Sequence, residues 1–553
     1  MSLIANGAGE SAKSFYNGVI GQSLRLSKSS DYKLDRQMIT PTSVTGTICT
    51  ASWWMKKSAH GTVQSFIQCR DNQASGNYNA YWSYDSGFAA NDHHAFYNEV
   101  DSINVGTNTT VVPYRDPSSW YHVVIRYDST QGTAANRIRI YKNGTLQNST
   151  FTTTTYPSQN AVNTYWNNVG EHLILFGNGE DSGDSFDGYI AEFNWVDGLS
   201  LAPESFGELK NGVWIPVEYT GSYGLNGSRY TFSDSSDIGK DSSGVGNDLD
   251  RVSNLSAYDV VPDSPENNFT TLNPLMNYGE SSRVVTEGNL KFSDSTNNSS
   301  YARIGANLPF EGKWYWEVLI GGTLSSYLFT NGTFDIEDNN NIVSGTTNST
   351  ELAGCHGIRE NGKYYDNGSL TASYASFSSG DILQVYFDAD IGSLFMGRNN
   401  TAFNSGSAVA TSLPPQEIHC SVAQNDSFSV YNFGQDSSFA GNKTAQGNTD
   451  GNGIGDFFYT PPSGFLALCT SNLPEPTIGP NSDDGNSTDF FDTVLYAGND
   501  TDAHVIPASG DDPTSINFTP DWISVKTRSG NDNHSHFWIN SSKGANNFIK
   551  PDA

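Results

Sequence analysis

One loop in the last quarter of the chain carries side-chain oxygens at a spacing that calcium sites use. Four residues of the segment NTDGNGIGD supply these oxygens: Asn448, Asp450, Asn452 and Asp456. Gly453 permits the sharp bend that such a loop needs, but the twelfth position holds Tyr459 in place of the bidentate Glu. The segment predicts either a Ca2+ site or a Gly/Asn/Asp-rich loop without metal. We expect no other cofactor.

Two aromatic clusters have the chemistry of sugar recognition, because flat apolar rings beside amide groups suit a sugar ring and its hydroxyls. The first cluster comprises Tyr78, Tyr81, Trp82 and Tyr84. The second is Trp166, followed by two asparagines. In a β-sandwich the same residue types also fill the core. A binding platform and a core position therefore stay open as alternatives for both clusters.

Paired carboxylates could hydrolyse glycosidic bonds if two facing strands held them roughly 5 to 9.5 Å apart. The chain has no Glu-x-Asp-x-Glu run on a predicted strand. Its candidate acids lie in turns or Gly/Ser loops, where aspartate is expected for turn formation: Asp388, Asp390, Asp181, Asp184 and Asp187. Three isolated histidines are expected in the core or on the surface: His122, His172 and His356. We expect no enzymatic activity.

Two stretches of alternating apolar and polar residues predict β-hairpins of the same kind. One is GDILQVYFDADIGSLFMGRNN (Gly380–Asn400), in which Leu383, Val385 and Phe387 share an inward apolar face. The other is WYHVVIRYD followed by RIRIYKNGTLQ, with Asn143-Gly144 as its turn signal. Two such hairpins far apart predict an all-β chain of tandem antiparallel sandwiches.

Composition excludes one class of partner. The formal net charge is −30, from 29 basic and 59 acidic residues, whereas nucleic-acid binding depends on clustered Lys and Arg. Charged residues make up only 16 % of the chain, below the usual ~25 %. We therefore expect no nucleic-acid partner.

The beginning of the chain and its cysteines indicate where the protein is made. MSLIANGAGESAK lacks a basic start followed by an apolar run, and no apolar segment is long enough for membrane insertion. The five cysteines have no C-x-x-C spacing and predict buried free thiols. A protein made in the host cytoplasm and released by lysis, as virion proteins are, fits both observations.

Three motifs in a fixed order resemble the laminin-G-like, concanavalin-like sandwich. They are SWWMKK, then WYHVVIRYD with IRIYKNG, and finally FDGYIAEFNWVDGLSLAPESF. In the last motif a late strand precedes a short helical turn with Pro203 near its start. The resemblance covers about 190 residues and implies a jelly roll.

The stretch between Asn211 and Tyr278 resembles a connecting signature in virion proteins of tailed phages, notably marine ones. The matching pieces are FSDSSDIGKDSSGVGND and NNFTTLNPL. YTPPSGFLAL, the NLPEPTI linker and the segment FTPDWISVK also resemble the phage set. A homotrimer is implied by this resemblance alone, because the sequence has no visible coiled-coil heptads that would predict one.

A second sandwich resembles a SPRY domain. The matching pieces are GKWYWEV, the hairpin at Gly380–Asn400 and the closing SVYNFGQ. The segment Asp436–Phe457 departs from that pattern as an insertion, and we expect a long exposed loop there.

The predicted organisation has six parts: an arm at 1–14, the laminin-G-like sandwich at 15–206, a connecting β segment at 207–266, the SPRY-like sandwich at 267–473, a linker at 474–488 and the start of a third β-module at 489–553.

From the sequence we expect a virion protein on the particle surface, a tail fibre or adsorption appendage. It would contact other virion proteins and bind host cell-surface glycan or protein by multivalent loops. A head fibre or capsid-decorating protein and a jelly-roll polysaccharide depolymerase are the alternatives.

Overall fold

The strands of this chain pair into antiparallel sheets where the sequence alternates, and the sheets then pack face to face. The computed structural model describes residues 15–28, 32–42, 46–60, 62, 64–70, 79–84, 94–98, 101–106, 114–148, 151, 153–177, 185–210, 212–278, 283–294, 302–306, 308–322, 329–333, 356–359, 361–366, 369–413, 418–422, 427–473, 521–525, 537–540 and 548–549.

The first part of the chain contributes strands β1 (Ser23–Leu26), β2 (Lys33–Gln37), β3 (Ile48–Lys57), β4 (Gln64–Arg70), β5 (Asn79–Tyr84), β6 (His94–Asn98), β7 (Ile103–Gly106), β8 (Trp120–Asp128), β9 (Ile138–Lys142), β10 (Thr145–Leu146), β11 (Thr153–Thr155), β12 (His172–Leu175), β13 (Gly188–Asp197), β14 (Gly207–Lys210), β15 (Val213–Pro216), β16 (Ser228–Tyr230), β17 (Arg251–Ser253) and β18 (Val260–Val261).

Two sheets of this region form the first sandwich. One has the order β10-β9-β8-β3-β13-β1-β18, with β16 paired to β13, and the other has the order β11-β7-β6-β5-β4-β12-β2-β17. Their shared core includes Trp53 and Met55 of β3 and Phe66 of β4. The predicted turn at Asn143 and Gly144 is confirmed, since both residues have positive φ and join β9 to β10.

The outer face of the first sheet is covered as well. Val124 and Val196 on that face pack against Phe206 and Tyr223, which follow the last long strand of the sheet. Strands β16, β17 and β18, from the segment predicted as a connector, extend both sheets. The connecting segment therefore supplies strands that pair with both sheets of the first sandwich, while the predicted domain boundary at 206 stays a prediction.

The second sandwich contains β19 (Asn273–Tyr278), β20 (Arg283–Thr286), β21 (Lys291–Asp294), β22 (Ala302–Ala306), β23 (Lys313–Gly322), β24 (Phe329–Thr333), β25 (His356–Ile358), β26 (Lys363–Asp366), β27 (Ser369–Ser373), β28 (Ile382–Asp388), β29 (Ser393–Arg398), β30 (Thr401–Ala402), β31 (Ile418–Val422), β32 (Ser427–Asn432) and β33 (Leu466–Ala467). Its sheets have the orders β19-β22-β31-β24-β25-β26-β27 and β20-β21-β32-β23-β28-β29-β30, and β33 pairs parallel to β23.

The hairpin of β28 and β29 is confirmed, with Asp388 opposite Ser393 across the turn. Leu383, Val385 and Phe387 face the core of the sandwich, as the alternation predicts. The prediction of tandem all-β sandwiches is therefore confirmed.

The segment Asp436–Phe457 is a long and largely exposed loop, as the sequence predicts, but buried phenylalanines near its two ends fix it to the second sandwich. Phe439 packs against Leu319 and Ile382, and Phe457 packs against Tyr315. Both phenylalanines are fully buried, although much of the chain between them is exposed. The reason is that β23 and β28 carry apolar residues on both faces, so the outer face also needs a cover.

Buried charges connect the two sandwiches. Arg25 Nη1, on β1, lies 2.7 Å from Asp436 Oδ2. Asp436 follows the last long strand of the second sandwich. Arg25 also pairs with Asp259. All three side chains are buried. The contact joins parts of one compact unit that holds both sandwiches.

A second compact unit contains a three-stranded sheet of β34 (Trp522–Val525), β35 (Phe537–Asn540) and β36 (Phe548–Ile549). Short 3-10 turns occur at Ala134–Asn136, Pro203–Ser205, Ala257–Asp259, Asn404–Gly406 and Thr470–Asn472. The turn with Pro203 at its first position is confirmed. Among the described residues no helix has the length and apolar character to span a membrane.

Candidate functional site

Asp450, at the centre of the predicted calcium loop, is held by protein donors. Its Oδ1 accepts hydrogen bonds from the backbone N–H groups of Asn452 and Ile454, at 2.9 and 3.0 Å. Its Oδ2 accepts from the Ala467 N–H and from Asn472 Nδ2, at 2.9 and 2.7 Å. Four donors occupy this carboxylate, so its role is to fix the segment on the second sandwich.

The other three predicted ligands also hold the segment together. The side-chain amide of Asn448 donates to the Phe458 carbonyl at 2.9 Å, and that of Asn452 donates to the Asn472 side chain at 2.9 Å. Asp456 Oδ2 accepts from the Ser437 N–H. Among the described residues no group of three or more His, Cys, Asp or Glu could hold a metal ion. The structure therefore gives these residues hydrogen-bonding roles, and the calcium site stays a prediction.

Trp166 is a core residue, which corrects the prediction of a binding platform. Its side chain is fully buried between Phe96 and Trp195, with ring centroids 4.8 Å away in each case. Its indole N–H donates to Cys49 Sγ. A ring that is fully buried cannot stack on a sugar.

The first aromatic cluster is not described at the level of side chains. The backbone of Tyr81, Trp82 and Tyr84 lies in β5, in the interior of its sheet. Their side chains, and the whole of Tyr78, lie outside the described residues. The prediction of a platform there stays a prediction.

His122 is a core residue with a structural role, as the sequence predicts. Trp214 donates to its Nδ1 at 2.9 Å, which leaves Nε2 to donate to Ser52 Oγ at 2.8 Å. Burial lowers the pKa of His122 to about 3, so the ring is neutral. Ser52 and His122 are both buried, and no substrate could reach this pair.

The aspartates at the hairpin turn are also structural. Asp388 pairs with Lys313 at 2.8 Å, and Asp390 accepts a hydrogen bond from the Gly312 N–H at 2.7 Å. The turn role predicted for them is in keeping with these contacts. Asp187 is buried and accepts from the Lys28 N–H, while Asp181 and Asp184 lie outside the described residues.

Four loops meet at one end of the first sandwich, and we call this surface the loop end: residues 38–42, 163–171, 197–201 and 223–227. The buried carboxylate of Asp197 gathers them. Its Oδ1 accepts from Asn167 Nδ2 at 2.7 Å, and its Oδ2 accepts from the N–H groups of Thr42 and Asn226, at 2.6 and 3.1 Å. One carboxylate thus fixes three other loops by charge-assisted hydrogen bonds.

Gly224 shows how closely these loops approach each other. Its φ is +75°, and a Cβ placed there would lie 2.4 Å from the carbonyl oxygen of Asp197. Only glycine fits such a position without a shift of the backbone. The next residue, Leu225, donates its N–H to Thr42 Oγ1 at 2.7 Å.

Three aliphatic side chains project from this fixed base into solvent. Ile39, Val169 and Leu225 are each about half exposed, at 49 %, 53 % and 54 %. Hydrogen bonds hold their segments side by side, because the Ile39 N–H donates to the side-chain Oδ1 of Asn226 and the Gly170 N–H donates to the Met38 carbonyl. The loop end can therefore offer a pre-ordered apolar surface to a partner.

The loop end could not be predicted from the sequence. Its residues come from four segments, and hydrogen-bonded residues in them are as much as 187 positions apart, so nothing in their spacing brings them together. The one local signal for it is the Asp-Gly pair at the end of β13, and this pair predicts only an ordinary turn.

A second exposed surface lies on the three-stranded sheet. Trp522 and Trp538 are 51 % and 37 % exposed, and their ring centroids are 5.7 Å apart in a T-shaped arrangement. The sequence of this region, at FTPDWISVK, indicates only a resemblance and not an exposed surface.

A family model described as the concanavalin A-like lectin/glucanases superfamily, of laminin-G type, matches residues 31–204. Those residues form a laminin-G-like domain of concanavalin fold. The match includes Ile39, Val169 and Asp197, so three of the four loop-end segments belong to the laminin-G-like domain.

Solved structures with related folds include SPRY and laminin domains. The SPRY domain of human HERC1 is 15 % identical, with coverage of 29 % of this chain and 96 % of that one and a TM-score of 0.23. Domains LG4-5 of the mouse laminin alpha1 chain are 12 % identical, with coverage of 77 % and 84 % and a TM-score of 0.25.

A third structure is a putative carbohydrate binding protein from Bacteroides ovatus, 14 % identical, with coverage of 42 % of this chain and 61 % of that one and a TM-score of 0.28. At these values the three likenesses carry no argument about what the chain binds. No curated protein matches the sequence.

Proposed function

We propose that this chain is a structural virion protein of a tailed phage, a tail fibre or similar adsorption appendage, and that it binds host cell-surface glycan or protein without catalysing a reaction. The observation that carries the binding role is the Asp197 carboxylate, which holds the loop end in a fixed form beneath three exposed aliphatic side chains. Loops ordered before binding lose less entropy when a partner docks.

The buried acids of the chain support a role without catalysis. Glu317 accepts hydrogen bonds from two backbone N–H groups, and Glu192 pairs with Arg229. Each of these carboxylates is enclosed and engaged by its own neighbours. A hydrolase would instead need two such groups facing a substrate across a cleft.

The phage source rests on the resemblance between Asn211 and Tyr278, together with the linker that follows the second sandwich. That resemblance also underlies the homotrimer and the contacts with other virion proteins. In a trimer, three loop ends would act together, so that weak individual contacts would give strong attachment by avidity. The chain would be made in the host cytoplasm and displayed on the particle surface.

Adsorption competition tests this proposal. The purified full chain should bind cells of the bacterium that the phage infects, and saturating amounts should reduce phage adsorption. Periodate treatment of the cells should abolish binding if the receptor is a glycan, and protease treatment should do so if it is a protein. Unchanged adsorption at saturation would contradict the proposal, as would images of the intact particle that place the chain on the capsid.

A matched pair of triple variants locates the binding surface. The change Ile39→Ser, Val169→Ser and Leu225→Ser removes the apolar side chains of the loop end, and we expect about tenfold weaker cell binding or more. The control is Leu209→Ser, Leu370→Ser and Ile391→Ser, which removes three aliphatic side chains elsewhere that are at least half exposed. Equal loss in both variants would argue against the loop end.

A further inference from the structure

The side chain of Lys56 ends beside two other functional groups, a carboxylate and a primary amide. Its Nζ lies 2.8 Å from Asp263 Oδ2 and 2.8 Å from Asn268 Oδ1. Lys56 and Asp263 are completely buried, and Asn268 is 9 % exposed. An amine that touches both a carboxyl group and a carboxamide has a nucleophile, a proton carrier and an acyl group within reach of each other. We call these three residues the amide triad.

The amide of Asn268 is held so that its carbonyl group faces the lysine. Its Nδ2 donates to the Ser118 carbonyl at 2.8 Å, and its backbone N–H donates to Thr470 Oγ1 at 2.9 Å. An ammonium group can only donate, so the amide atom that Lys56 contacts is the oxygen.

The carbonyl carbon of Asn268 is therefore close to the amine. Because a C=O bond is about 1.23 Å long, Cγ lies at most about 4.0 Å from Lys56 Nζ. A shift of about 0.5 Å would bring the two atoms to roughly 3.5 Å, the distance from which a nucleophile attacks. The fold thus supplies most of the positioning that a bond between them needs.

Aromatic side chains enclose the amide triad. Lys56 Nζ lies 5.3 Å from the ring centroid of Tyr189, which is fully buried. The indole N–H of Trp120 donates to Asp263 Oδ1 at 3.2 Å, and the buried Phe269 follows Asn268 in the chain. Exclusion of water strengthens the electrostatic interactions inside such a site and suppresses hydrolysis as a side reaction.

Burial also shifts both ionisable groups of the triad towards their neutral forms. It lowers the pKa of Lys56, although the Asp263 carboxylate acts to raise that pKa. It raises the pKa of Asp263, although the Lys56 ammonium group acts to lower that pKa. Transfer of a proton from Lys56 to Asp263 therefore costs less here than in water. The transfer leaves an uncharged amine, which is the nucleophilic form of lysine.

We propose that Lys56 and Asn268 become joined by an isopeptide bond between Nζ and Cγ, with Asp263 as the proton carrier. Lys56 first gives one ammonium proton to Asp263. The neutral amine then attacks Cγ, and the Nζ–Cγ bond forms. Asp263 passes its proton to Nδ2 and takes a second proton from Nζ, the Cγ–Nδ2 bond breaks, and ammonia leaves. One amide replaces another, and Asp263 remains protonated.

The bond links two parts of the chain that are far apart in sequence. Lys56 lies in β3 of the first sandwich, and Asn268 lies 212 positions later, in the segment that leads into the second. A covalent loop of this length restricts the unfolded chain and keeps the two parts together when non-covalent contacts open. The reaction occurs once in each chain and uses no outside substrate, so it is independent of the proposed attachment role.

Intact-mass measurement of the purified full chain under denaturing conditions tests the bond. We expect a mass about 17 Da below the mass calculated from the sequence, because one ammonia has left. The chain is measured directly after purification and again after prolonged storage in the folded state, so that a slow reaction is also detected. The full calculated mass at both times would overturn the proposal.

Peptide mapping then places the loss. Trypsin does not cut after a lysine whose amine is acylated, so we expect one linked pair of peptides, 37–57 joined to 252–283. A succinimide at an Asn-Gly pair also removes about 17 Da but gives no linked pair. A loss of about 18 Da, with Lys56 joined to Asp263, would show that the carboxyl group reacts in place of the amide. Either of these two results would contradict the bond to Asn268.

Variants assign the roles within the amide triad. Lys56→Arg keeps a positive charge but has no amine to acylate, so the mass loss should disappear. Asp263→Asn keeps the lysine and the amide but removes the proton carrier, and it should slow bond formation about 100-fold or more. Lys313→Arg is the matched control, because this lysine pairs with Asp388 at the surface and should leave the mass loss complete.

The rate in Asp263→Asn decides the role of the acid. Bond formation at an unchanged rate in this variant would refute Asp263 as the proton carrier, and a persistent linked pair in Lys56→Arg would refute Lys56 as the nucleophile. Circular dichroism shows whether each variant is folded. The mass and the peptide map of the unchanged chain decide whether the bond exists even if a variant fails to fold.

Discussion

Lys56 Nζ and Asp263 Oδ2 lie 2.8 Å apart, and both side chains are completely buried. The ammonium group of Lys56 also donates to Asn268 Oδ1 and to the Phe269 carbonyl, each at 2.8 Å. Asp263 in turn accepts a hydrogen bond from the indole of Trp120. A lysine in the middle of an apolar motif is thus enclosed by three oxygens from a segment that follows the first sandwich.

Removing this lysine should destabilise the protein strongly. Lys56→Ala leaves Asp263 buried without its cation, and we expect a loss of about 3 to 5 kcal/mol in the free energy of unfolding. Urea unfolding followed by circular dichroism measures it. Lys240→Ala is the control, because its pair with Asp248 is exposed and should contribute little. A similar urea midpoint for both variants would refute the enclosed role of Lys56.

Asp187 should make stability depend on pH. Burial raises its pKa from 3.8 to about 7, although the hydrogen bond from the Lys28 N–H acts to lower the pKa. Between pH 3.8 and about pH 7, Asp187 keeps its proton in the folded protein, whereas the same carboxyl has released it in the unfolded chain. This contribution to stability is therefore complete below about pH 4 and is lost as pH rises towards 7.

The change Asp187→Asn should flatten that dependence. Unfolding in urea at a series of pH values from 4 to 8 gives, for both proteins, the slope of the free energy of unfolding against pH. The difference between the two slopes isolates the contribution of Asp187 from that of other buried acids. Asp237→Asn, at an exposed carboxyl, should leave the slope unchanged. Parallel curves for Asp187→Asn and the unchanged chain would show that Asp187 does not titrate in this range.

Glu317 should hold the segment that covers the outer face of the second sandwich. It accepts from the N–H groups of Phe458 and Tyr459, at 2.8 and 2.7 Å, from Tyr315 and from Asn432. Glu317→Ala leaves the N–H groups of Phe458 and Tyr459 without this acceptor, at an expected cost of about 3 to 5 kcal/mol.

Hydrogen exchange locates that effect. The amides of Phe458 and Tyr459 should exchange faster in Glu317→Ala, because they lose their acceptor. Glu317→Gln retains one oxygen and should show a smaller change. Exchange at these two amides that is identical in all three proteins would contradict the anchoring role.

Chelation should leave the protein unchanged. The oxygens of Asp450 are occupied by four protein donors, so EDTA should not lower the melting temperature. Asp450→Ala should lower it, because Ala467 and Asn472 lose their acceptor. A clear fall with EDTA that added Ca2+ reverses would restore the calcium loop that the sequence predicts.

Much of the fold could be predicted from local sequence. The alternation around Leu383 and the positive-φ turn at Asn143 and Gly144 each specify a hairpin within a few residues. Covered outer faces could not be predicted in the same way. Alternation predicts one buried face, whereas Tyr315 and Leu319 on the other face are buried by residues more than a hundred positions later.

The candidate sites were harder to predict, for a related physical reason. Asp197 looks like a turn residue until the loops of Thr42, Asn167 and Asn226 are brought beside it. Trp166 has the composition of a sugar platform but lies in the core, because ring type alone does not determine exposure. Burial and tertiary hydrogen bonds decide these cases, and neither is encoded by spacing along the chain.

The distant partners of Arg25 and Lys56 have a consequence for biosynthesis. Asp263 is made 207 positions after Lys56, and Asp436 is made 411 positions after Arg25. On the ribosome both cations therefore exist for a long time without their counter-ions and have to stay hydrated. The nascent first sandwich cannot complete its outer side until most of the second has emerged, so final closure is a late step that truncated chains never reach.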